Sequence, residues 1–178
     1  MVYRRRECKL QFFSSTMIDV SKLGGQRGAV LVVCGCFSPI TNLHLRLFEM
    51  ARDELEAKGR SVIGGYLSPT HSHYPKPGLI AASHRVAMCR MACEGSDWIA
   101  VDDWEAGRSE WTRTRLVLDS IEQRLEAHGI AAQVMLLAGA DLLQSFRVPG
   151  LWATEDLTAI LERGLVIVDR LDIKVQQE

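Results

Sequence analysis

The stretch Ala29-Val30-Leu31-Val32-Val33-Cys34 constrains this chain more than any other feature. It has no polar residue at alternate positions and is rich in β-branched side chains. Such a run predicts a strand buried on both faces, as in a parallel sheet. It ends in Gly35-Cys36-Phe37-Ser38-Pro39, a loop with turn-forming Gly and Pro. Thr41 or Asn42 is then placed to cap a helix reaching about Lys58, along which Leu43, Leu47, Met50, Ala51 and Leu55 recur at helical spacing before Gly59.

The pattern repeats down the chain. Ser61-Val62-Ile63-Gly64-Gly65-Tyr66-Leu67 predicts a second strand, followed by a polar loop over 68–77 with three prolines. A helix is expected over about 81–93, a short strand at Trp98-Ile99-Ala100-Val101, and a long helix from 109 to about 128. Gln133-Val134-Met135-Leu136-Leu137-Ala138 is the next strand, a helix begins near Asp141, and 164–169 reads as the last strand. Strands alternating with helices at this spacing mean βαβ units, hence an α/β fold with a doubly wound parallel sheet. Trp98 is expected in the core.

At 178 residues the chain fits one domain, expected over 29–170, with an N-terminal extension over 1–28 and a tail over 171–178. The formal net charge of −1 argues against a basic nucleic-acid footprint. No apolar run approaches the ~20 residues that cross a bilayer. Residues 1–9 hold four basic side chains but precede no apolar stretch long enough for a secretory leader. The expected compartment is intracellular, nuclear or cytoplasmic in preference to mitochondrial. Five cysteines (8, 34, 36, 89 and 93) without a secretory leader favour reduced thiols, and none has the pair spacing of a structural zinc site. No resident metal is expected; His71 and His73 lack companion ligands and are expected to be exposed.

In open α/β sheets ligands bind beyond the carboxyl ends of the strands, where strand order reverses. The loop from Gly35 to Thr41 sits there and feeds a helix N-terminus. Gly35 allows close approach to the backbone, and the unpaired N–H groups of the first helical turn attract a phosphate. His44 lies in that turn and Arg46 two residues on, so one or both could reach bound phosphates. An ordinary strand–loop–helix with an exposed His44 would read the same way.

The stretch Gly35-Cys36-Phe37-Ser38-Pro39-Ile40-Thr41-Asn42-Leu43-His44-Leu45-Arg46 resembles the G-x-F-x-P-x-T-x-x-H-L-R motif of animal nicotinamide mononucleotide adenylyltransferases. Further matches follow in that family's order: Ser68-Pro69, Tyr74 and Lys76, Gly78-Leu79-Ile80, His84-Arg85-Val86, Trp104-Glu105, Trp111 with Thr114, Gly139-Ala140-Asp141-Leu142-Leu143, and Val148-Pro149-Gly150-Leu151-Trp152.

The resemblance implies a Rossmann-like nucleotidyltransferase fold and formation of NAD, or its deamido form, from ATP and nicotinamide or nicotinate mononucleotide. Magnesium would enter with ATP. Gly35, Cys36, Phe37, Thr41, His44 and Arg46 would hold phosphates, with His44 the catalytic residue. Cys36 stands where many relatives carry serine, and a thiol is the poorer hydrogen-bond donor. Tyr74, Lys76, Trp111, Thr114, Gly139, Asp141, Leu151 and Trp152 would bind the pyridine nucleotide, the tryptophans by stacking on the ring. Taken without the family, Asp141 reads as a helix N-cap and the tryptophans as core. Relatives are known to assemble, which makes a homo-oligomer an expectation. The family also carries a later strand and an I-S-S-T-x-x-R phosphate motif, which these 178 residues do not contain. That departure supports an alternative expectation: a catalytically impaired short isoform acting as a chaperone-like or regulatory interaction protein.

Overall fold

The computed structural model describes residues 28–168. The expected N-terminal extension, apart from Gly28, and the expected tail lie outside these residues.

The elements run β1 (Gly28–Gly35), α1 (Asn42–Ala57), β2 (Val62–Pro69), α2 (Ala82–Cys93), β3 (Ile99–Val101), α3 (Thr114–Ala127), β4 (Ala132–Gly139), α4 (Ala140–Ser145), α5 (Thr154–Arg163) and β5 (Leu165–Val168). The five strands form one sheet in the order β3-β2-β1-β4-β5, and every pair is parallel. The expected doubly wound α/β fold is therefore the fold found.

Alternation along the buried strands sorts the core into two layers, because successive side chains of a strand point to opposite faces. Ala29, Leu31, Val33, Leu67, Met135 and Leu137 pack with Leu47, Phe48 and Ala51 of α1 and with Cys89 and Cys93 of α2. Val30, Val32, Tyr66, Val134 and Leu136 face the other way, against Val117, Leu118, Ile121 and Leu125 of α3 and Ile160 of α5. Trp98 is core, as expected. Its ring stands edge-on to Phe48, its indole N–H donates to Glu49, and the Arg52 guanidinium lies over it at 4.1 Å.

One expectation needs correction, and one element was not foreseen. The helix expected from residue 109 begins only at Thr114, because 109–113 runs as turn and extended chain with Arg113 as N-cap. The helix expected to begin near Asp141 is the six-residue α4; a separate α5, for which no element was expected, follows it, with Val148-Pro149-Gly150 between them. Proline cannot supply the amide that a continuing helix needs, and Gly150 takes φ +74, outside helical backbone. The four described cysteines are unbridged. Burial pushes the Cys89 and Cys93 thiols up to about 12 and about 11, so both stay protonated.

Candidate active site

Strand order reverses between β1 and β4. From β1 the chain moves outward through β2 to β3, then returns to the other side of β1 as β4. The β1–β4 ladder runs from Gly28–Ala132 to Val32–Leu136 and stops. Beyond it, Val33 to Gly35 stay paired with β2, while Leu137 to Gly139 stay paired with β5. The two central strands thus part over their last residues. The loops after Gly35 and Gly139 flank the opening, where the general rule for such sheets places a ligand.

The loop after β1 turns at Phe37, which holds φ 44, a left-handed backbone uncommon for a residue with a side chain. The Ser38–Pro39 peptide is cis. Gly35 is needed for close approach, as expected, but the approaching group is internal: a Cβ there would lie 3.2 Å from the tip of the Phe37 ring. That ring is buried in the α1 layer and stands edge-on to the His44 imidazole, with centroids 5.2 Å apart. Phe37 therefore offers a ligand its backbone and not its ring.

Thr41 is the N-cap of α1, and His44 occupies the third helical position. The Thr41 backbone N–H donates to His44 Nδ1 at 3.0 Å, with the Thr41 hydroxyl 2.7 Å from the same nitrogen. His44 here does the work of the acidic or amide residue in a capping box. A backbone amide can only donate, so Nδ1 is the acceptor and the neutral ring carries its proton on Nε2. A ring proton at a helix N-terminus is a donor suited to a phosphate oxygen. Arg46 is exposed one position beyond the first turn.

The loop between β2 and α2 carries Tyr74 and Lys76, both exposed. Tyr74 comes within 6.0 Å of Trp111, centroid to centroid, with the rings tilted by 55°. Trp111 is 45% exposed, so the core reading fails for it and a stacking face is open. Thr114 opens α3 just behind. Trp152, in the segment between α4 and α5, is half-buried, its indole N–H on the Ser145 hydroxyl and its ring edge-on to Phe146. Leu151 beside it is exposed. The two tryptophans are thus held by different aromatic partners. Asp141 lies in the first turn of α4 and Gly139 is that helix's N-cap, so Asp141 is not the cap residue.

His71 departs from its expected exposure. It is buried, its Nδ1 accepts the His73 N–H at 3.1 Å, and its own N–H donates to Glu105. Glu105 also accepts the Thr70 hydroxyl at 2.7 Å. Burial raises the Glu105 carboxyl above its ordinary value, against the lowering effect of those two bonds and of nearby Arg85. Arg85 is fully buried in α2 and binds three backbone carbonyls: Ile80 at 2.9 Å, Cys36 at 2.8 Å and Thr70 at 2.6 Å. The motif order named both residues without a role. No local pattern could have shown it, because their partners lie up to 49 residues away. Among the described residues, no group of three or more His, Cys, Asp or Glu could hold a metal ion, and no helix is long and apolar enough to cross a membrane.

A parted parallel sheet, a glycine loop and an imidazole at a helix N-terminus form the kind of opening where open α/β sheets take their ligands. Residues 32–177 match the cytidylyltransferase-like family model, and the chain belongs to that family. It is 45% identical over 159 residues to the nicotinamide/nicotinic acid mononucleotide adenylyltransferase of Oryza sativa subsp. japonica, covering 86% of this chain and 64% of that protein. The Arabidopsis thaliana enzyme of the same name is 46% identical over 146 residues, covering 79% of this chain and 61% of its own length. The Bos taurus relative is 39% identical, with 79% and 64% covered. The chain therefore spans somewhat less than two thirds of these relatives. Among solved structures it resembles the Plasmodium falciparum nicotinic acid mononucleotide adenylyltransferase complexed with APC. The TM-score is 0.52 at 21% identity, covering 84% of this chain and 68% of that one, which supports the fold.

Proposed function

We propose that this chain transfers AMP from ATP to nicotinamide or nicotinate mononucleotide, giving NAD or its deamido form and pyrophosphate. The observation that carries the reading is the Thr41–His44 pair, which fixes the imidazole proton on Nε2 at the helix N-terminus beside the parted strands. Relatives at 39–46% identity bearing the adenylyltransferase name support it.

ATP enters as its magnesium complex. A phosphate oxygen of the mononucleotide forms the new bond to the α-phosphorus in line with the departing group. The bond from that phosphorus to the bridging oxygen breaks, and pyrophosphate leaves with the electron pair. The attacking phosphate is already ionised near neutral pH, so no strong base is required. Catalysis is then alignment and charge stabilisation. The His44 Nε2–H and the N–H groups of the α1 terminus meet phosphate oxygens, and the face formed by Trp111 and Tyr74 receives the pyridine ring. The relatives compared above are all named for adenylyl transfer, and nothing in their names favours the interaction role.

Purified chain supplied with ATP, magnesium and either mononucleotide should form the dinucleotide. A charged hydrogen bond contributes about 1.5–3 kcal/mol, so His44→Ala should slow turnover about 10- to 150-fold. Absence of product from folded wild-type chain would sink the reading for this stretch of sequence.

A further inference from the structure

Arg85 lies outside every residue so far given a contact with substrate, yet its three hydrogen bonds all end on the two loops that carry those residues. Its Nη1 holds the carbonyl of Cys36, in the loop leading to His44. Its Nη2 holds the carbonyl of Thr70, where the loop bearing Tyr74 and Lys76 begins. Its Nε holds the carbonyl of Ile80, where that loop ends. Neighbouring bonds complete the bracket: the Thr70 N–H donates to the Gly35 carbonyl at 2.9 Å, and Ser72 accepts the Ala82 N–H at 2.8 Å.

The chemistry matches the geometry. A guanidinium presents donors in a rigid planar fork, which lysine cannot reproduce. Arg85 is buried and makes no direct ion pair with a carboxylate among the described residues, so backbone dipoles take the place of a counter-ion. The Glu105 carboxylate lies near enough to interact with it electrostatically, but makes no direct ion pair with it. In a planar trans peptide the carbonyl of one residue and the N–H of the next point in opposite directions. Holding the Cys36 carbonyl toward Arg85 therefore turns the Phe37 N–H away from it, and stabilises the left-handed backbone at Phe37.

We propose that Arg85 is a positioning residue that couples the phosphate loop to the pyridine loop, so that an anion bound at residues 35–44 is felt at residues 71–79. This rests on the adenylyl-transfer reading for the identity of the two loops.

The test is amide NMR of the full chain titrated with inorganic pyrophosphate, for wild type, Arg85→Lys and Arg85→Ala. In wild type, the amides of Cys36 and Phe37 and those of His71 and Tyr74 should shift together with one midpoint. In Arg85→Lys, which keeps the cation and the fold, the shifts at His71 and Tyr74 should vanish and the midpoint should rise about tenfold. In Arg85→Ala, millimolar guanidinium should restore the joint shift while urea at equal concentration should not. Joint shifts persisting unchanged in Arg85→Lys would overturn the proposal, as would urea matching guanidinium. The adenylyl-transfer reading is judged separately: wild type that shows joint shifts but makes no dinucleotide would refute that reading and leave the coupling standing.

Discussion

Replacing Gly65 with alanine tests how the sheet positions the phosphate loop. Gly65 sits mid-strand in β2, paired with Leu31 and Ile99, and a Cβ there would lie 2.7 Å from Cδ1 and Cε1 of Phe48. Carbon atoms in ordinary contact stand about 3.5–4.0 Å apart, so the ring must retreat by roughly 1 Å. It has little room, being fully buried with Trp98 edge-on beyond it. Overpacking of this kind costs about 1–3 kcal/mol, offset by about 0.5–1 from replacing glycine within a strand. A net loss of about 1–2 kcal/mol follows, or about 3–6 °C in a thermal melt. Phe48 lies one helical turn after His44, so a retreating ring carries the imidazole with it. Misplacement by about 1 Å costs up to a hundredfold in rate. Urea unfolding and turnover should be measured for Gly65→Ala, Phe48→Leu and the double variant. Trimming the ring makes room for the new methyl, so the double variant should be at least about 1 kcal/mol more stable than additivity predicts. Additive losses, or a Gly65→Ala variant as stable as wild type, would refute the reasoning.

Trp111→Ala should raise the KM for the mononucleotide about 2- to 12-fold with kcat nearly unchanged, since an aromatic pair contributes about 0.5–1.5 kcal/mol beyond area; calorimetric titration with NAD checks this. Burial raises Glu105, so its protonation stabilises the fold fully below the ordinary carboxylate value, and that contribution disappears as pH rises through the raised value. The urea midpoint of wild type relative to Glu105→Gln should therefore fall with rising pH across that window, and a constant difference would contradict it. Arg124 forks onto the buried Asp102 carboxylate at 2.7 and 2.9 Å, so Arg124→Met should cost about 3–5 kcal/mol by leaving that charge unpaired. Urea unfolding decides it, and a loss under about 1 kcal/mol would show that water reaches Asp102.

The strands were legible because burial on both faces removes polar residues from them, and the loop after Gly35 was legible because its glycine, proline and cap residues are local signals. The start of α3 was not. Arg113 makes no side-chain cap bond, so no local signal marks that start. For α5 the signals were present, with Glu155 and Asp156 in the first turn, Arg163 in the last and Gly164 behind, yet no separate helix was read from them. The buried state of His71 rests on Glu105, 34 residues on, and the role of Arg85 on carbonyls from three separate places. Neither leaves a trace in local pattern, because both are products of how the loops meet.

The parting of β1 and β4 also bears on how long the folded chain lasts. A dinucleotide spanning that seam would fasten two halves of the sheet that the backbone ladder leaves apart near its carboxyl edge. Ligand at a hundred times its dissociation constant adds about 2.7 kcal/mol to the folded state. Opening of the seam would then be suppressed about a hundredfold when nucleotide is plentiful and released when it is scarce. Proteases that attack the open form would clear the chain fastest in starved conditions, making its lifetime a gauge of the pool it serves.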